Sequence, residues 1–216
     1  MVTNREVFNQ IAESWYGFRH WTRFSKELEE MVRRWRTGRL LNVGCAHGPD
    51  FLPFKDNFSL WGLDFSEKMI GMARRYAVKF DFKVNLTVAD ALFLPYADNT
   101  FDWAIAVATY HHIKGDGNRE EAFKELKRVL KPGSEAFITV WNRWQPAFWT
   151  KGKETQVTWN TKGGPLYRYY YLFSYGELSE LLTRCGFQIV RIFPERTYRL
   201  PVKVFSRNIC VLVKAT

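Results

Sequence analysis

The chain has 216 residues, 46% hydrophobic and 25% charged, which suits one α/β domain with a packed core and excludes a disordered chain. Its 32 basic and 22 acidic side chains leave a net charge of +10, with 17% aromatic residues. The three cysteines are widely spaced, which excludes a disulfide framework or a CxxC zinc site within the chain. No apolar run approaches the ~18 residues that span a bilayer. The start, MVTNREVFNQIAESW, is polar and amphipathic without a secretory apolar stretch, so the expected location is cytoplasmic with no membrane partner.

Residues 4–18 and 24–36 read as helices. In the second, Leu28, Met31, Val32 and Trp35 fall on one face, and Thr37-Gly38 ends it. A strand–turn–helix rhythm follows. Strands are expected at Arg39–Val43, Leu60–Leu63, Lys83–Val88, Phe101–Ala108 and Ala136–Trp141. Helices are expected at Ser66–Tyr76 and Arg119–Leu130, the latter stopped by Pro132-Gly133. Ser174-Tyr175-Gly176-Glu177 has the form of a capping box opening a further helix that Gly186 ends. Gln188–Phe193 and Val204–Val213 read as a closing antiparallel pair. No linker or repeat divides residues 1–216, so a single domain is expected, with helices at 1–38. Alternating strands and helices predict a mostly parallel, doubly wound α/β sheet that binds its ligand at the carboxyl ends of the strands.

The positive charge is uneven. Residues 42–141 are nearly balanced, whereas 142–173 carry five basic and one acidic side chain together with nine aromatic rings. Basic groups interleaved with rings suit a phosphate backbone and splayed bases, or else pack the segment onto the domain.

Three strand ends carry the chemistry. The first runs into Asn42-Val43-Gly44-Cys45-Ala46-His47-Gly48, where glycine lets the backbone turn close to a ligand. Asp64 ends the second and is placed to accept ribose hydroxyls; Asp90 ends the third and is placed to read an adenine amino group. Together they predict an adenosine-containing ligand. A dinucleotide fits less well, because the loop is GCAHG followed at once by Pro49-Asp50. Cys45 has no base beside it and reads as a packing residue.

This pattern, with the KPGS turn at Lys131–Ser134, resembles the class I S-adenosylmethionine-dependent methyltransferases over nearly the whole chain. Three further runs resemble one group of these: FNQIAESWYGFR (Phe8–Arg19), FDWAIAVATYHHI (Phe101–Ile113) and RYYYLF (Arg168–Phe173). They are similar to the tRNA wobble-uridine methyltransferases that esterify a 5-carboxymethyl group in the anticodon. The resemblance implies a Rossmann-like fold of seven strands, with 142–173 as a substrate-side insertion after the fifth. It implies S-adenosyl-L-methionine as cofactor and tRNA as substrate. It also implies a small zinc-binding activator protein as partner, expected at the third-strand edge over Phe80–Val88, which would make a heterodimer. The matching catalytic positions are Arg19, His111, His112, Arg168, Tyr169 and Tyr170. The candidate cofactor contacts are Tyr16, Asn42, Gly44, Ala46, Gly48, Asp64, Phe65, Met69, Asp90, Ala91 and Ala108. The chain departs from the pattern at Asn42 (usually acidic), Ala46 (usually Gly) and Tyr171 (usually His). A small-molecule methyltransferase and a catalytically idle cofactor-binding scaffold remain as alternatives.

Overall fold

The computed structural model describes residues 2–200 and 202–216; Met1, the first residue of the expected helical extension, lies outside them. Helix α1 (Asn4–Phe18) opens with a capping box in which the Thr3 side chain and Glu6 satisfy each other's backbone amides. It buries Val7, Phe8, Ile11 and Ala12 against Met69. Helix α2 (Ser25–Trp35) buries Leu28, Met31 and Trp35. Arg34 adds a two-pronged bond to Glu135, each N···O distance being 2.6 Å, so a charge pair fastens α2 to the sheet.

The strands are β1 (Gly38–Val43), β2 (Phe58–Asp64), β3 (Val84–Val88), β4 (Phe101–Val107), β5 (Leu130–Trp141), β8 (Phe187–Pro194) and β9 (Asn208–Ala215). They form one seven-stranded sheet in the order β3-β2-β1-β4-β5-β9-β8. Only β9 runs against its neighbours. Helix α3 (Glu67–Lys79) follows β2, α4 (Asp116–Val129) follows β4, and α5 (Tyr175–Arg184) precedes β8. The connections run one way from β1 to β2 and β3 and the other way from β4 to β5. The crevice between β1 and β4 is therefore the switch point where ligands of such sheets sit.

The structure corrects the sequence reading in four places. Residues 142–173 contain a hairpin, β6 (Glu154–Thr161) and β7 (Gly164–Tyr171), that forms its own two-stranded sheet. Pro49–Phe54 coil into a 3-10 turn that buries Phe51 and Phe54. The last strand starts at Asn208 rather than Val204, because Lys203–Phe205 make a short turn whose carbonyls tie to the Asn142 amide and the Tyr175 hydroxyl. The third strand is an edge, as expected, but a shorter one. Phe80 and Phe82 fold back onto Tyr76 instead of extending it.

Candidate active site

A cavity of about 320 Å³ opens at the carboxyl ends of β1, β2 and β4 and is roofed by Phe8, Trp15 and Arg19 of the N-terminal helix and its cap. Gly44, Ala46, Asp64, Phe65, Asp90, Ala91 and Ala108 line one part of it; Arg19, His111, His112 and Tyr170 line another. Eleven of the expected site residues therefore meet at one cavity.

The loop after β1 is built for close approach. Gly44 has φ +70°, and a Cβ there would stand 2.4 Å from the Thr109 side chain. Thr109 in turn donates to the Val43 carbonyl at 2.9 Å, clamping the ends of β1 and β4 together. Ala46 also adopts a positive φ, 46°, and its amide donates to the Asp64 carboxylate at 2.9 Å. The other Asp64 oxygen takes the Ser66 amide at 2.9 Å. Burial pushes the Asp64 pKa up to about 6, against the pull of those two amides. Asp90 accepts from the Leu92 amide at 3.0 Å.

On the other side of the cavity, strand alternation divides the Arg-Tyr-Tyr run. Arg168 and Tyr170 share a face, and the Arg168 guanidinium donates to the Tyr170 hydroxyl at 3.1 Å. Tyr170 lines the cavity, and its ring stacks on His111 at 4.9 Å. Arg168 lies behind, 5.5 Å from the Trp15 centroid, with its Nε buried and unpartnered. Arg19 stands over the same Trp15 at 5.0 Å, and its Nε too is buried without a partner. Burial and the charge of Arg23 bring the Arg19 pKa down to about 10. Arg23 lines the cavity mouth, and the exposed Arg207 lies over Trp141 at 5.4 Å. Among the described residues none of these four arginines enters an ion pair.

Five expected site residues stand elsewhere besides Arg168. Tyr169 points to the opposite face, where its hydroxyl accepts from the buried Arg119 at 3.4 Å. Tyr16 packs edge-on against His20, His47 and Tyr76. Met69 is buried between α1 and α3. Gly48 begins the 3-10 turn with φ 91°. Asn42 is fully buried beneath the loop with both amide atoms unpartnered, outside the cavity lining. A side chain on β1 alternates into one face of the sheet, so Asn42 cannot also face the open end.

Residues 41–138 match a family model described as a methyltransferase domain. An Encephalitozoon cuniculi protein that bears the name methyltransferase is 30% identical over 179 residues, which is 80% of each chain. The chain belongs to the S-adenosylmethionine-dependent methyltransferases. Its fold is shared with a S-adenosylmethionine-dependent methyltransferase from Clostridium acetobutylicum, with a TM-score of 0.75 over 97% of this chain and 99% of that one at 14% identity. An Arabidopsis thaliana tRNA (carboxymethyluridine(34)-5-O)-methyltransferase is 32% identical over 62% of this chain but only 31% of its own length.

Sequence reasoning missed several residues of this methyltransferase. Asn4 donates to the carbonyls of His112 (3.2 Å) and Tyr169 (3.1 Å) and accepts the Tyr169 amide (2.8 Å), pinning the roof helix to both. His47 donates from Nε2 to the Arg19 carbonyl and so anchors the end of α1 to the glycine loop. Burial holds the His47 ring neutral, with its pKa down to about 4. Asp50 lines the cavity, and burial raises its pKa to about 6. Only the Pro49-Asp50 step after the loop marked it in the sequence.

Proposed function

We propose that the methyltransferase acts on tRNA and esterifies the carboxylate of a 5-carboxymethyl-type uridine at the wobble position. The observation that carries this reading is a pair of arginines that share Trp15 and have no carboxylate partner, half-buried Arg19 on the cavity wall and buried Arg168 behind it. A buried cation without a counter-ion costs several kcal/mol unless a ligand anion completes it. Arginine suits a carboxylate because its planar fork meets both oxygens.

The residues on the loop side fit the cofactor. Gly44 and Ala46 bring backbone to the cavity wall, buried Asp64 keeps lone pairs for ribose hydroxyls, and Asp90 and Ala91 stand at the adenine end. S-adenosyl-L-methionine supplies a methyl group on a sulfonium leaving group. The chain then has to position and desolvate a nucleophile. A carboxylate is ionised at neutral pH and needs no general base. Arg19 holds it from the cavity wall and Arg168, behind Tyr170, adds positive charge, while Phe8, Trp15 and Tyr170 keep water out. Tyr169 supports β7 from the far face.

The same reading gives β3 a partner. This edge strand exposes Val88, and a small zinc-binding activator protein adding a strand there is our proposal for it. The function is tested by incubating the chain, alone and with such an activator, with labelled cofactor and bulk tRNA, then analysing nucleosides by mass spectrometry. The expected product is the methyl ester of 5-carboxymethyluridine. Label confined to base nitrogens, ribose or small carboxylic acids contradicts the reading.

A further inference from the structure

His111 and His112 offer the cavity opposite hydrogen-bonding groups. The Trp141 backbone N–H donates to Nδ1 of His111 at 3.2 Å. A backbone amide only donates, so this Nδ1 is bare and the ring proton sits on Nε2. The Tyr169 carbonyl lies 3.1 Å from Nδ1 of His112. A carbonyl only accepts, so this Nδ1 carries the proton and Nε2 is a lone pair. Burial keeps both rings neutral: His112 is pushed down to about 3 and His111 well below its ordinary value. Both rings line the cavity, and among the described residues neither Nε2 has a partner.

The two rings are held as a pair. Their centroids are 4.4 Å apart and inclined at 61°. Tyr170 stacks on His111, Phe8 packs edge-on to His112 at 5.0 Å, and Asn4 ties the His112 carbonyl to β7. A fixed N–H donor beside a fixed lone pair matches a heterocycle edge that presents a carbonyl oxygen next to a ring N–H. We infer that this pair reads the imide edge of uracil: His111 Nε2–H donates to the C4 oxygen, and His112 Nε2 accepts the proton of N3–H. The inference rests on the wobble-uridine reading above. In a 5-substituted uracil, C4 adjoins the carbon that bears the reacting arm, so this edge lies beside the carboxylate that Arg19 holds. Cytosine presents an amino donor and a bare nitrogen at those two positions. Both contacts would then oppose like with like, and a site built to pair such groups rejects the mismatch strongly.

The test has two arms. Nitrogen-15 spectra of the ligand-free protein should show His111 as the Nε2–H tautomer and His112 as the Nδ1–H tautomer; two rings in one shared tautomer, or the assignment reversed, overturn the inference whatever the activity. In single-turnover transfer, anticodon stem-loops with 5-carboxymethyluridine or 5-carboxymethylcytidine at the wobble position are compared. The uridine form should react about ten- to a hundred-fold faster. His112→Phe, which keeps the packing on Phe8 but loses the lone pair, should narrow that ratio several-fold. Equal rates on the two stem-loops with wild-type protein overturn the base-edge inference and leave the carboxylate reading standing. Transfer to neither overturns both.

Discussion

Asp64 bridges the glycine loop and the start of α3, and with the ribose contact proposed above its raised pKa predicts a pH dependence of cofactor binding. The ionised form accepts hydroxyl protons better than the neutral acid. Affinity for S-adenosylmethionine should therefore be full above pH 7 and fall about tenfold per unit below pH 6. Asp64→Asn should bind weakly at every pH; titration calorimetry at pH 7.5 and 5.0 checks both. Arg19→Ala should lower kcat/KM by about a hundred-fold, or ~3 kcal/mol, with cofactor affinity unchanged. Gly44→Ala should abolish binding, because the new methyl meets Thr109 at a backbone φ of +70°. Gly44→Ala combined with Thr109→Ser should recover little of it, since the hydroxyl oxygen still stands 2.4 Å from the new methyl and the backbone strain remains.

At the scale of elements, the N-terminal helix acts as the roof of the site. Asn4 alone makes three hydrogen bonds across to His112 and Tyr169. Asn4→Ala should cost about 1–3 kcal/mol, read as a lower Tm, and should raise KM for the RNA more than for the cofactor. The Ser174 N-cap and the runs around Leu28, Ala104 and Leu126 were legible in the sequence, although the Glu177 carboxylate turns to Lys153 and Tyr171 and leaves the expected capping box half formed. The hairpin was not legible. Glu154–Thr161 alternates only weakly and its outer face is polar, so its strands are fixed by pairing and by Trp159 packing on Trp15 rather than by an apolar run. The three strand-end positions at Gly44, Asp64 and Asp90 could be read because topology brings successive β-termini together. The side-chain direction within β7 could not be assigned until Arg168 and Tyr170 were seen to share a face. Asn4 and His47 act through backbone atoms distant in sequence, which leave no local signal.

For the whole molecule, the unpaired positive charge at the cavity mouth suits the anionic substrate proposed above. Arg23 and Arg207 are exposed there and need no carboxylate of the chain. RNA affinity should fall steeply with salt, and Arg23→Glu with Arg207→Glu should weaken binding and flatten the log–log slope by about two. Buried neutral histidine makes the fold acid-sensitive. The His47 pKa is depressed to about 4, so its contribution is full above pH 6.5 and is lost as pH falls toward 4. Asp50 and Asp64, raised to about 6, have the opposite sign and are most favourable when protonated. His47→Gln should therefore lose less stability than wild type between pH 7 and pH 5, by about 2 kcal/mol in denaturant unfolding.

The central claim is that the Arg19 guanidinium, backed by buried Arg168, waits for a carboxylate beside the methyl donor. Binding of two anticodon stem-loops, one with 5-carboxymethyluridine and one with its neutral carboxamide counterpart, tests it in the presence of S-adenosylhomocysteine. The carboxylate form should bind at least tenfold tighter, and Arg19→Ala should erase the difference. Equal affinity of wild-type protein for both stem-loops would contradict it.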